Sequence, residues 1–202
     1  AAVEEAMSGD RLLFLASQKD MSEENPTEDG VHLIGSVGMV MRQRKLPDGR
    51  IKLLVQGLAK GRIAKVSQER PFLRAEVREI VEPAVEVGRP EVEALVRTTR
   101  KNLQEVIEQG KILSPDVMTV ISGIHHPGRL ADWVAAPIAL SGQDAQRLLE
   151  PEDPMERLRS VNEHLVRELA VQKVQNEIQA QAREEMSRSQ REYILREHLR
   201  QI

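Results

Sequence analysis

Residues 153–202 read DPMERLRSVNEHLVRELAVQKVQNEIQAQAREEMSRSQREYILREHLRQI. Past Pro154 this stretch holds no Gly and no Pro. Asp153-Pro154-Met155-Glu156 reads as a helix start: an aspartate that caps, a proline suited to the first turn, and a glutamate placed to reach back to the cap amide. Nothing further on breaks the helix. About 48 residues rising roughly 1.5 Å each make a rod of about 72 Å, longer than a small domain is wide. The expectation is a head on a stalk, cut from something longer, with a long helix folded back on its own domain as the plainer alternative. Leu158, Val161, Leu165 and Leu169 fall at helical spacing and predict a packed first half. From Gln175 to Glu192 the apolar residues thin to Ile178, Ala180, Ala182 and Met186, as in a solvated arm or a loose coiled-coil pairing with a neighbouring subunit. Tyr193, Ile194, Leu195, Leu199 and Ile202 then restore apolar side chains.

Upstream of the rod, four shorter helices are expected. Ser141 to Glu150 is closed by Pro151. Pro127 opens a segment with Leu130, Trp133 and Val134 that ends near Pro137. Ser114-Pro115-Asp116 starts one holding Val117, Met118, Val120 and Ile121. Pro90 to Gln109 carries Val92, Leu95, Val96, Leu103, Val106 and Ile107 at a 3–4 spacing, with Gly110 as its stop. Before Pro83 the pattern turns strand-like. Leu46-Pro47-Asp48-Gly49 is a hairpin turn: Pro47 presets φ, and Gly49 accepts the left-handed conformation that returns the chain with a bulge. It joins strand-like runs over 31–44 and 50–66, in which Val37, Met39 and Met41 share one face. Gly35, Gly38, Gly57 and Gly61 mark expected bends. Leu12 to Ala16 reads as a strand covered on both faces. Ala1 to Met7 has helical composition, ended by Ser8-Gly9-Asp10. Residues 72–81 supply one more strand, and 19–30 a polar loop expected to be mobile. The reading is α+β: a β-rich part over 1–86 (a small twisted sheet or open barrel), a helical bundle over 87–152, and the long helix over 153–202.

Composition closes off several function classes. The net charge of 202 residues is −3, and the last 52 hold 9 basic and 10 acidic residues, so the rod is no electrostatic grip on nucleic acid. No cysteine is present, which excludes disulfides, thiolate metal sites and a cysteine nucleophile. No apolar run approaches the roughly 20 residues of a membrane span, and no signal-peptide pattern opens the chain. His125-His126 has no partner at ligand-like spacing and reads as a loop leading into a helix. Lys60-Gly61-Arg62 lacks the phosphate-loop pattern. Glu184, Glu185, Ser187 and Ser189 belong to an exposed helical face. Nothing assembles a catalytic, cofactor or metal site. Met39 and Met41 are flexible thioethers of the kind found on adaptable binding surfaces. With Leu46 at the turn tip and Trp133 they are the candidate binding residues, set against ordinary core filling.

Three segments carry a family resemblance. KLPDGRIKLLVQGLAKGRI (45–63) resembles the signature hairpin of the N-terminal domain of Lon, the ATP-dependent serine protease. HPGRLADWVAAPI (126–138) is similar to the helical part of that domain. SRSQREYILREHLRQI (187–202), above all Ser189-Gln190-Arg191-Glu192-Tyr193, resembles the stretch that leads toward the ATPase module. The segments stand in the family's order and spacing, so the resemblance covers the whole chain. The family's opening strand and Val-Gly-Arg stretch are not found before Ala1. His125 and His126 stand where relatives are often acidic, and Trp133 departs from the family pattern.

The resemblance implies a non-catalytic, cytoplasmic part of a homohexameric machine. Its ATP, magnesium and Ser-Lys dyad lie in other modules. The partners implied are unfolded, damaged or degron-bearing proteins and other subunits, with no membrane; nothing here supplies charge for nucleic acid. Two roles follow. One is capture of exposed apolar segments by Met39, Met41 and Leu46, with Trp133. The other is a scaffold in which the long helix pairs between subunits through Leu169, Val174, Ile178 and Met186 and spaces the heads above the ATPase ring.

Overall fold

The computed structural model describes the backbone of residues 1–110, 115–138 and 140–200, and side chains except those of 110–117, 139, 189 and 191–200. Tyr193, Ile194, Leu195 and Leu199, read above as an apolar return, have side chains outside the described residues, as does all of Ile202. The chain is α+β and forms two compact units, Ala1–Ala84 with Ala139–Arg157, and Val85–Ile138 with Leu158–Ile202.

In the first unit, α1 (Ala2–Ser8) leads into a four-stranded antiparallel meander: β1 (Leu12–Leu15), β2 (Ile34–Lys45), β3 (Ile51–Gln68) and β4 (Arg74–Glu79), side by side in that order. The 46–49 turn forms as its residues require. Gly49 has φ +84°, its amide donates to the Leu46 carbonyl at 3.0 Å, and the Leu46 amide donates to Arg50 at 2.8 Å. β1 is not covered on both faces. It is an edge strand, with Leu12 38% and Leu15 46% exposed. Apolar runs do not reveal edges, because a central strand and an edge strand packed on one side can have the same composition.

Two of the glycines serve close approach rather than bending. Gly35 and Gly61 face each other across β2 and β3. A Cβ at Gly35 would lie 2.3 Å from the Leu15 carbonyl oxygen and 2.8 Å from the Phe14 ring, and one at Gly61 would lie 3.2 Å from that ring. The bare backbone of the pair thus seats Phe14. The other two glycines stand at an irregularity of the β2–β3 ladder, which shifts between Val37 and Gly38, opposite Ala59 and Gly57, and again between Val40 and Arg42. The residue left without a partner is Leu58 of β3 at the first shift and Met41 of β2 at the second. The fully buried residue of β2 is Val40, between the two methionines expected to mark a single face.

The segment after residue 139, expected among the helices, belongs with the sheet. It carries α2, the helix Gly142–Leu149, capped by Ser141, whose hydroxyl accepts from the Asp144 amide at 3.1 Å. Buried Gln146 donates to the Ile34 carbonyl at 3.1 Å. Lys60 donates to the Pro151 carbonyl, and Arg62 pairs with Glu152 at 2.7 Å. The long helix α3 (Pro154–Arg200) begins here. The Asp153 carboxylate accepts from the Met155 and Glu156 amides at 2.8 and 2.9 Å, so the predicted cap is present. In its first turn Arg157, only 3% exposed along its side chain, pairs with Glu82. Periodicity within 141–150 shows a helix, but not which surface its buried residues meet.

The second unit contains the helices α4 (Pro90–Gly110), α5 (Pro115–Ser122) and α6 (Pro127–Ala135), with the remainder of α3. Val92, Val96, Leu103 and Val106 of α4 are buried, as are Ile121, Leu130 and Val134, and so are Leu158, Val161 and Leu165 of α3. This is the 3–4 stripe read from the sequence, now closed into a core. Asn102 donates to Asn162 at 2.8 Å. Beyond Lys173 the described side chains of α3 are exposed, apart from Ser187.

Replacing Glu82 by Gln leaves the Arg157 guanidinium buried without its carboxylate. Breaking buried pairs costs about 3–5 kcal/mol. Because Glu82 keeps some solvent contact, a loss near the lower end, about 3 kcal/mol, is expected in urea unfolding followed through the first unit.

Candidate functional site

The clearest exposed feature is built by the hairpin. β1 pairs with β2 only from Ser36 to Met39, and β4 pairs with β3 only from Gly61 to Gln68. Residues 40–55 are therefore a two-stranded ribbon running past both outer strands. At its base Val40 is buried and its amide donates to the Arg11 carbonyl at 2.8 Å. The register steps from Val40 opposite Val55 to Arg42 opposite Leu54, so Met41 has no partner residue. A bulge of this kind turns its extra residue out of the ladder. Met41 is 50% and Leu54 62% exposed, and Ile51 and Leu58 are exposed as well.

The tip is held by charge. Asp48 accepts from the Arg50 amide at 3.0 Å and from its guanidinium at 2.7 Å. The Arg50 side chain, then the backbone bond, hold the Asp48 carboxyl below its ordinary value. The tip is thus braced by one local bidentate arrangement rather than by burial.

A second feature of the same unit is an open groove of about 720 Å³. Ala6 of α1, Leu13 and Phe14 of β1, Ile63 of β3, and Phe72 and Leu73 line it. It is mostly apolar, with Glu5, Asp10 and Arg74 among its polar residues. Arg74 pairs with Glu5 at 3.0 Å, so two of these charges already neutralise each other.

The residues singled out from sequence are placed unevenly. Met39 and Leu46 are half-buried, and Met41 is exposed on the ribbon. Trp133 is half-exposed on α6, in the other unit. Val174, Ile178 and Met186 are exposed on α3. Leu169 does not share their face. It stands nine residues before Ile178, about two and a half turns, which sets the two on opposite sides of the helix. It continues the buried stripe of Leu158, Val161 and Leu165. Val171 is exposed and does fall on the Val174 and Ile178 side. His126 caps α6, its Nδ1 accepting from the Arg129 amide at 3.5 Å. Among the described residues no group of three or more His, Cys, Asp or Glu side chains could hold a metal ion. Leu54 alternates with Ile51, Leu53 and Val55 and shares the face of Lys52, a signal of exposure that sequence reasoning does not turn into a binding candidate. Leu58 is exposed at a bulge whose only composition signal is the neighbouring glycine. Phe14 and Phe72 had such a signal, as two of the four aromatics in the chain.

Residues 1–167 match the family model described as the ATP-dependent protease La (LON) substrate-binding domain. The whole chain aligns with Lon protease of Geobacter metallireducens at 48% identity over 201 residues and with Lon protease of Trichlorobacter lovleyi at 47%. In each case it covers 24% of the relative, so the chain spans about a quarter of the length of these curated relatives. The solved N-terminal domain of Mycobacterium avium complex Lon protease superposes with a TM-score of 0.66 at 21% identity, over 82% of this chain and 83% of that one. At that identity the likeness is one of fold.

A carboxyl whose folded value is depressed stabilises above its unfolded value and loses that contribution as pH falls through the lower one. Asp48 is therefore expected to brace the ribbon tip fully above about pH 4, near the ordinary aspartate value. NMR amide shifts of Gly49 and Arg50 should move together below that pH, and should not move in Asp48→Asn.

Proposed function

The chain belongs to the Lon substrate-binding domain family, and on that premise we propose that it captures unfolded or degron-bearing proteins for an ATP-dependent serine protease. The observation that supports this most is the ribbon, where Met41, Ile51 and Leu54 stand exposed on a segment that neither outer strand flanks, with Leu58 exposed just below its base. A folded client hides its apolar side chains and an unfolded one offers them, so apolar contact distinguishes the two. Met41 adapts to varied partners because its thioether chain is unbranched and flexible. Each contact is weak. In a homohexamer six heads would raise the effective concentration of one for a client held by another. ATP, magnesium and the Ser-Lys dyad would act in other modules of the parent enzyme, in the cytoplasm. No described helix is long and apolar enough to cross a membrane.

A second reading, compatible with the first, makes α3 a spacer that pairs between subunits. Exposed Val171, Val174, Ile178 and Met186 favour it. They follow one another at three-, four- and eight-residue intervals, so they share a face of the helix. Three of the four expected residues are thus kept in this reading, with Val171 in place of Leu169.

Capture is tested by anisotropy of one labelled model protein, native and reduced-unfolded, against the chain. The unfolded form should bind and the native form should not. Met41→Asp with Leu54→Asp should weaken binding by about tenfold, with unchanged circular dichroism; equal binding of both forms contradicts the reading. The spacer role is tested by sedimentation equilibrium. Association of the chain with itself should be lost in Val174→Glu with Ile178→Glu, and an unchanged profile in that variant refutes it.

A further inference from the structure

The ribbon is charged as well as apolar. Residues 41–56 hold Arg42, Arg44, Lys45, Arg50 and Lys52 against Asp48 alone. That is +4 in a chain of net charge −3, so the remaining residues carry −7. Arg50 is engaged by Asp48. Arg42, Arg44, Lys45 and Lys52 are exposed and form no ion pair among the described residues. The register places Arg42 opposite Leu54 and Arg44 opposite Lys52. Three cations and an exposed leucine therefore share one face, with Met41 turned out beside them.

The ribbon also has open edges. On the β2 side β1 stops at Leu12, opposite Met39. On the β3 side the last bonds are those of Gly61 with Glu79 and of the Ile80 amide with the Lys60 carbonyl. Among the described residues no strand pairs with the outer edge of 41–45 or of 51–59. Backbone groups on such an edge are a template for a further strand.

We propose that the ribbon takes an added strand from another polypeptide, and that the strand it selects is acidic and apolar, with Asp or Glu interspersed among large apolar residues. This deepens the capture reading and rests on it. The edge supplies main-chain hydrogen bonds that any extended chain could use. The side chains choose among such chains. Leu54, Met41 and Ile51 offer apolar surface to the large residues, and Arg42, Arg44, Lys45 and Lys52 attract the acids. The same cations repel basic strands and the ribbon of a second copy, so selection uses repulsion as well as attraction. The exposed leucine, isoleucine and methionine favour a polypeptide over a nucleic acid, since the ribbon bears no aromatic on which a base could stack.

The test uses the full chain and synthetic peptides of equal length with the same apolar residues, interspersed with Glu, Gln or Lys. Fluorescence anisotropy is read at about 50 mM and about 500 mM NaCl, since screening separates the charged part of the binding. The Glu peptide should bind about tenfold more tightly than the Gln peptide at low salt, with the Lys peptide weakest. High salt should shrink that preference. Arg42→Glu with Arg44→Glu and Lys52→Glu should abolish it, while Gln-peptide binding changes less than about twofold. N-methylation of alternate peptide amides should abolish binding, because a strand so blocked cannot pair along an edge. Three results each overturn the inference: no preference for Glu over Gln, undiminished binding of the N-methylated peptide, or a single-stranded oligonucleotide bound more tightly than the Glu peptide and lost in the same triple variant. If the unfolded model protein still binds in these cases, capture stands and only the ribbon's selectivity falls. If neither the protein nor any peptide binds, capture falls with it.

Discussion

A single buried cation connects the sheet to the beginning of the long helix. Arg157 sits in the first turn of α3 with almost no solvent contact, facing Glu82 just past β4. A charge removed from water is tolerated only with a partner and further hydrogen bonds, so Arg157 requires both Glu82 and the segment before the helix to be in place. The rest of that segment follows the same logic. Gln146 reaches the backbone of β2, and Lys60 and Arg62 of β3 reach Pro151 and Glu152. Polar side chains thus bind residues 146–157 across the middle of the meander, although they come from a distant part of the sequence.

Fixing the sheet in this way leaves its far end uncovered. Phe14 over the Gly35 and Gly61 pair secures β1 near the middle of the sheet, and β4 stops where β3 continues. What extends beyond is a two-stranded ribbon. Such ribbons are only marginally stable alone. Here the base is anchored by buried Val40, and the tip is tightened by Asp48 and Arg50. The exposed Met41, Leu54 and Leu58 contribute little to holding it. Capture needs side chains of that kind, free of structural duty and displayed on a backbone that is nonetheless ordered.

Much of this was legible in residues. The turn at 46–49 has its chemistry written into Pro47, Asp48 and Gly49. The cap at Asp153, the apolar spacing of 92–107 and the unbroken run after Pro154 each demand the element observed, because each satisfies a local backbone or packing requirement. Matters decided by long-range partners were not legible. Nothing local tells that Gln146 bonds to Ile34, so periodicity alone groups α2 with the helices. Nothing local tells that β1 is an edge. Val40 inward beside Met41 outward is plain alternation, whereas the shifts that leave Leu58 and Met41 without partners are not legible, because alternation alone cannot count bulges. Leu169 was legible but misgrouped: its distance from Ile178 already put it on the other side of α3.

Capture by this fold depends on the ribbon being where an unfolded chain is held. The direct measurement is amide hydrogen exchange across the whole chain, with and without a saturating permanently unfolded protein. Exchange should slow mainly in residues 40–58 and stay unchanged in Val85–Ile138. Protection confined to the helical unit or to the exposed part of α3, with the ribbon exchanging as fast as in the free chain, would contradict it.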